Sequence, residues 1–229
     1  MTRRIIVAID GPAGAGKSTI ARAVADRLGF VYIDTGAMYR AVALWALQRG
    51  ISDSDMHRLE QLANEAEIAF VPGAESVLLN GEDVTEAIRA PEISIAAAKV
   101  SAVPAVRRAM VEKQRGLSAD ASVVMEGRDI GSVVFPEAQV KIFLDADPSI
   151  RADRRVLQLQ RNGVPVSKEN TERELADRDT RDRTRSEAPL VQAPDAVYVD
   201  STGLNPEEVQ EVILKLVRAR TSNGKEYSR

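Results

Sequence analysis

Residues 5–18, IIVAIDGPAGAGKS, limit the possible folds more than any other part of the chain. Gly11-Pro12-Ala13-Gly14-Ala15-Gly16-Lys17-Ser18 matches the pattern G-x-x-x-x-G-K-[ST], with Thr19 following. The apolar run IIVAI precedes it and the amphipathic pattern STIARAVADRLG follows, so the motif lies between a strand and a helix, the context its chemistry requires. Glycines let the backbone wrap closely enough for successive N–H groups to point at phosphate oxygens, and the helix N-terminus adds its dipole. Lys17 then offers a point charge to the β and γ phosphates, and the Ser18 hydroxyl can ligate Mg²⁺.

The rest of the chain reads as an α/β protein built around that loop. Short apolar runs at residues 5–9, 30–33, 122–125, 140–144 and 196–199 alternate with helical patterns. That alternation predicts a doubly wound sheet of five parallel strands with helices on both faces. Helix boundaries carry their own signals: Asp147 before Pro148 with Gly163 past the end, and Asn205 before Pro206. From residue 68 to residue 84 the rhythm breaks into short β-like pieces with Pro72-Gly73 and Asn80-Gly81 turn signals, which predicts a small antiparallel meander. The expected organisation is a single domain. Its core covers about 1–63, 104–150 and 186–220, an insert covers 64–103, and a lid with an arginine-rich, solvent-facing helical arm covers 151–185, before a tail at 221–229. Helices are expected to start near Pro91 and Pro104.

Composition narrows the chemistry. The 229 residues hold no cysteine and one histidine, which excludes disulfides, thiol catalysis and His-based triads. His57 reads as a surface residue. A net charge of -3 calls for neither nucleic acid nor an anionic membrane as partner, so any positive field is local. No apolar stretch approaches the roughly 18 residues of a membrane span, and the expected location is cytoplasmic. Two other classes of P-loop protein compete. A GTPase switch would need a guanine-reading NKxD after DxxG, but Asp200-Ser201-Thr202-Gly203 has none following it and reads as a strand-to-helix turn. A nucleic-acid-dependent ATPase would draw on the arm, yet residues 173–185 mix five Arg with four acidic residues, a poor match to a phosphate backbone.

A kinase for a small acceptor explains more. Holding two polyanions end to end requires several arginines. Arg178, Asp182 and Arg185 recur at i, i+4 and i+7 on the arm with Arg181 beside them, and Arg151, Arg154 and Arg155 form a second cluster. The bland reading of both is a solvated face laced with ion pairs. Asp34-Thr35-Gly36-Ala37-Met38-Tyr39-Arg40 and Glu126-Gly127-Arg128-Asp129 fall just past strand ends, where open α/β sheets bind ligands. In each, a glycine is expected to make a tight turn that frees an arginine.

Together these residues resemble the bacterial cytidylate kinases, nucleoside monophosphate kinases of the P-loop group, through nearly the whole chain. The resemblance is carried by IDGPAGAGKST, DTGAMYR, EGRDIGSVVFP, KIFLDA and RDTRDRTR. It implies transfer of the γ-phosphate of ATP, with Mg²⁺, to CMP or dCMP. UMP, AMP or a shikimate-like acceptor and a P-loop switch are the alternatives. Carried over, Gly11 to Thr19 and Arg154 would hold ATP. Arg40 and Arg128 would hold the CMP phosphate. Thr35, Arg107, Asp129 and Arg185 would surround the cytosine, and Arg178 and Asp182 would face the sugar. The charges expected to act in catalysis are Lys17, Arg128, Arg178 and Arg185. One departure is Ala98, where the family can place a serine near the sugar. A monomer acting on nucleotides alone is expected.

Overall fold

The structure is a computed structural model that describes residues 4–71, 76–161 and 163–221. Five strands, β1 (Ile6–Asp10), β2 (Val31–Asp34), β6 (Val123–Gly127), β7 (Val140–Asp145) and β8 (Val197–Asp200), form one parallel sheet in the order β2-β6-β1-β7-β8. All five expected strands are present, each displaced by no more than a residue or two. The central strand β1 runs beside β6 and β7, with Val7 opposite both Val124 and Val140.

Side chains alternate across this sheet, and helices cover both of its faces. Val7, Ile9, Val124 and Ile142 pack with Ile20 and Val24 of α1 (Lys17–Leu28) and with Ile213 and Leu214 of α8 (Pro206–Thr221). Ala8, Val123 and Met125 face the opposite layer. There Met38 and Val42 come from α2 (Thr35–Gln48), Leu59 from α3 (Met56–Glu65) and Met110 from α5 (Pro104–Leu117). The central strands β1, β6 and β7 are buried on both faces, which explains why their runs read as continuous apolar segments.

The meander forms as expected: β3 (Ile68–Phe70), β4 (Val77–Leu79) and β5 (Glu82–Asp83) pair antiparallel. Asn80 and Gly81, with φ of 51° and 85°, make the tight hairpin that the dipeptide signals. The Pro72-Gly73 turn lies outside the described residues, as does the expected tail beyond Thr221. Val77, Leu79 and Val84 belong to the same apolar cluster as Met38 and Met110, so the meander shares the core of the main sheet. α4 (Pro91–Val100) follows, starting at its proline.

The arm consists of α6 (Pro148–Arg161) and α7 (Lys168–Thr184). The Asp147 side chain accepts from the Ser149 N–H, and Gly163 turns left-handed beyond the helix, both as expected. Asn205 and Glu208 exchange hydrogen bonds of 2.8 and 2.9 Å in a reciprocal cap that opens α8. α7 departs from the solvent-facing arm that was expected. Thr171, Leu175 and Asp179 recur every four residues and are buried, and Leu175 packs on Ala13 and Ala152. The helix therefore docks one face on α6 and the P-loop. Among the described residues no helix is long and apolar enough to cross a membrane.

Candidate active site

The loops at the carboxyl ends of β1, β2 and β6 converge with the arm, and each end contributes chemistry. After β1 the chain turns into the P-loop at Gly11, where an added Cβ would lie 1.9 Å from the Leu144 carbonyl oxygen. Only glycine fits there. Gly14 and Gly16 also take positive φ, and Gly16 caps α1 with no side chain answering the first amides of the helix. Those amides are what an anion would meet. Lys17 lies at the base of the cradle, donating to the Pro12 carbonyl at 2.7 Å. Burial, then the nearby Arg128 and Arg178, push its pKa down to about 7 against the pull of Glu126 and Asp10. Ser18 is exposed, and its hydroxyl lies near enough to the Glu126 carboxylate to favour the charged form.

At the end of β2, Asp34 has two roles. One carboxylate oxygen accepts from the Ala37 N–H at 2.9 Å and caps α2; the other holds Arg40 Nη2 at 2.9 Å. The helix begins at Thr35, so Gly36 makes no turn. Its missing side chain instead clears the Asp34–Arg40 pair, which an added Cβ would approach to 3.0 and 3.2 Å. Gly127 likewise ends β6 rather than forming a turn, and a Cβ there would meet Ile130 Cδ1 at 2.6 Å and Thr35 Oγ1 at 2.8 Å. The Thr35 hydroxyl donates to the Glu126 carbonyl at 2.7 Å, tying the ends of β2 and β6 together.

Beyond Gly127 stand Arg128 and Asp129. Arg128 Nε binds Asp182 of the arm at 2.8 Å. The Asp129 carboxylate takes Arg107 Nη2 at 2.5 Å and Arg185 Nη2 at 3.5 Å, and the Arg107 guanidinium lies over the Tyr39 ring. Arg185 is the residue that caps the end of α7, in an extended conformation. It reaches Asp129 from the chain leaving the helix rather than from the helical face its spacing suggested. Arg178 does face the site. The residue is exposed overall, yet desolvation of its guanidinium, then repulsion from Arg128, Arg155 and Arg40, bring its pKa down to about 10.

The second arginine cluster divides. Arg151 is buried, donating to the carbonyls of Ala13 and Ala146 and pairing with Asp179 at 2.6 Å, so it is a bolt between the arm and the P-loop. Arg154 spans from the P-loop to the turn after β8 through Ser201 Oγ at 2.9 Å and the Ser201 carbonyl at 2.7 Å. Arg155 joins the cationic wall with Arg40 and Arg178. His57 is exposed, and the residues from Asp200 to Gly203 form a turn between β8 and α8.

Arg178 is therefore the centre of a cationic cleft: Arg40, Arg128 and Arg155 repel it, and it joins Arg128 in repelling Lys17. Among the described residues three arginines keep buried donors without a hydrogen bond: Arg40 Nε, Arg107 Nε and Arg185 Nη2, the last only in a looser 3.5 Å ion pair with Asp129. Buried unpaired N–H groups cost of order 1–3 kcal/mol each, so their concentration here points to a polar, anionic occupant.

The cytidylate kinase family model matches residues 7–219 of this chain. The chain belongs to that family. A cytidylate kinase of Solibacter usitatus (strain Ellin6076) is 60% identical over 99% of this chain and 97% of its own length. Another, from Syntrophotalea carbinolica, is 50% identical over 96% and 94%. Membership of this family of phosphotransferases accounts for the convergence of a P-loop and an arginine wall. Sequence reading missed Asp10, Glu126 and Tyr32. Tyr32 donates to Glu126 at 2.7 Å, a contact across strands 94 residues apart that no local pattern reports.

Proposed function

We propose that the chain transfers the γ-phosphate of ATP to CMP or dCMP, giving CDP or dCDP and ADP. The observation that carries this reading is the cationic cleft around Arg178 and Lys17, which adjoins Arg107 and Arg185 on Asp129. Two polyanions facing each other need such a cleft.

The acceptor phosphate oxygen is already anionic at neutral pH, so no general base is needed, and catalysis reduces to positioning and charge neutralisation. Lys17 and the α1 amides hold the donor phosphates. Arg40, Arg128 and Arg178 hold the acceptor phosphate and the group in transit, and Arg154 lies where the donor nucleoside leaves the P-loop. Thr35 sits on the floor beneath the base, where Arg107, Arg185 and Asp129 surround it. Cytosine presents an amino group where uracil presents a carbonyl oxygen, so the Asp129 carboxylate attracts the first and repels the second. Asp182, between Arg128 and Arg185, faces the sugar with Arg178.

Mg²⁺ fits the donor set, because the Ser18 hydroxyl and the Glu126 carboxylate are neighbours and Glu126 lies near Lys17. Such an ion typically takes one or two protein oxygens and completes its shell with phosphate and water. When bound it would supply positive charge to the donor phosphates. The proposal includes cytoplasmic, monomeric action without nucleic acid, in keeping with a net charge of -3.

A coupled ADP-release assay with ATP and Mg²⁺ tests the reading by offering CMP, dCMP, UMP, AMP, GMP and shikimate in parallel. Turnover confined mainly to CMP and dCMP is expected. Preferential turnover with another acceptor would remove the cytosine assignment and keep the kinase.

A further inference from the structure

Asp10 is the last residue of β1 and directly precedes the P-loop, yet the transfer described above makes no use of it. Its side chain is 4% exposed. One carboxylate oxygen accepts the Ile130 N–H at 2.8 Å and the other the Gly131 N–H at 2.7 Å. These are the first amides of a π-helical turn, Ile130–Val134, in which the Asp129 carbonyl accepts from Val133 and Val134 and the Ile130 carbonyl from Phe135. Amides that open a helical turn have no partner within it. Asp10 provides that partner from another strand.

The far end of the turn is held too. Arg115 of α5 donates through Nε to the Val134 carbonyl and through Nη2 to the Val133 carbonyl, both at 3.0 Å. A carboxylate at the amide end and a guanidinium at the carbonyl end match the direction of the turn's peptide dipoles. Packing leaves no slack: a Cβ on Gly131 would lie 3.3 Å from Asp10 Oδ2 and 3.2 Å from Lys141 Cγ. Asp129 is the residue from which this turn departs, and Arg128 precedes it.

We propose that Asp10 is a positioning residue for acceptor-base selection, gripping the Ile130 and Gly131 amides so that Asp129 meets the base from one fixed direction. This rests on the assignment of Asp129 to the base. It also makes the strand that carries the P-loop the mechanical support of the acceptor pocket. The role calls for a carboxylate, because both of its oxygens accept, whereas an amide turns an N–H toward one of the two backbone donors.

The test compares Asp10→Asn, Asp129→Ala and the unaltered enzyme by kcat/KM for CMP and for UMP, KM for ATP, and Tm. Asp10→Asn is expected to lower the preference for CMP over UMP roughly tenfold, through KM for CMP, while KM for ATP stays within about twofold. Equal losses for CMP and UMP, or a matching rise in KM for ATP, would overturn the proposal, because a purely structural or P-loop role acts on those quantities. If Asp129→Ala lowers the preference and Asp10→Asn leaves it intact, the support role falls and the base-reading role stands. If Asp129→Ala leaves the preference unchanged, both fall. Should Asp10→Asn fail to fold, Arg115→Met loosens the same turn from an exposed position. A loss of preference of about threefold is expected there, and no loss would overturn the inference.

Discussion

Lys17 shows how the site trades stability for function at the level of one side chain. Folding strips its ammonium of water and leaves it beside Arg128 and Arg178, and the downward pKa shift to about 7 records the penalty. The contacts that would repay it are phosphates. Lys17→Ala is therefore expected to cut transfer by about 10³-fold, the scale of a lost charge-stabilising donor, without lowering the Tm of the nucleotide-free protein. ADP release and thermal unfolding measured on one preparation check both halves. A large drop in Tm would make Lys17 a structural residue, and near-normal turnover would remove it from the phosphates. Arg107 behaves differently. Burial opposes its charge, but Tyr39 and Asp129 more than offset that and raise its pKa, so it arrives at the base pocket already committed.

At the level of elements, the strands, the P-loop and the proline-led helices could be read from local pattern because each signal lies within a few residues of its consequence. Asn80-Gly81 specifies its hairpin, and Asp147-Pro148 its helix, without reference to the rest of the chain. What could not be read depends on distant partners. Arg151, Arg154 and Arg155 form one cluster in sequence, yet they point to a buried ion pair, a loop bridge and the cleft. Asp10 looks like any polar strand end until Ile130 and Gly131 arrive 120 residues later. The arm was misjudged for a related reason: one buried residue per turn, with Thr171 and Asp179 at two of the positions, leaves too little apolar signal to betray a packed face. That thin contact also makes a prediction. Among the described residues Leu175 shares its buried apolar cluster with Ala13 and Ala152, separate from both main cores. Leu175→Ala is expected to speed amide exchange across residues 168–184 by at least about tenfold while global Tm falls by only a few degrees. Uniform acceleration across the sheet would show that the arm unfolds with the core instead.

For the whole molecule, a net charge of -3 conceals a strongly positive cleft. Arg128, Arg155 and Arg40 repel Arg178, and Arg128 and Arg178 repel Lys17, so the nucleotide-free protein holds electrostatic strain at these two side chains that a dianion can relieve. Sulfate is the simplest probe because it carries no base and no sugar. At ten times its dissociation constant a ligand specific for the folded state adds about 1.4 kcal/mol, or roughly 3–6 °C in Tm for a chain of this size. Sulfate is therefore expected to raise Tm by that amount above sodium chloride at equal ionic strength, and Arg178→Met, which removes one cation from the wall, should reduce the increment by half or more. General salting-out would act through the whole surface and leave the variant's increment equal to that of the unaltered protein. An equal increment would thus place the stabilisation outside the cleft and return the arginines to separate ion pairs, whereas a smaller one ties the stability of the fold to the charge it is built to receive.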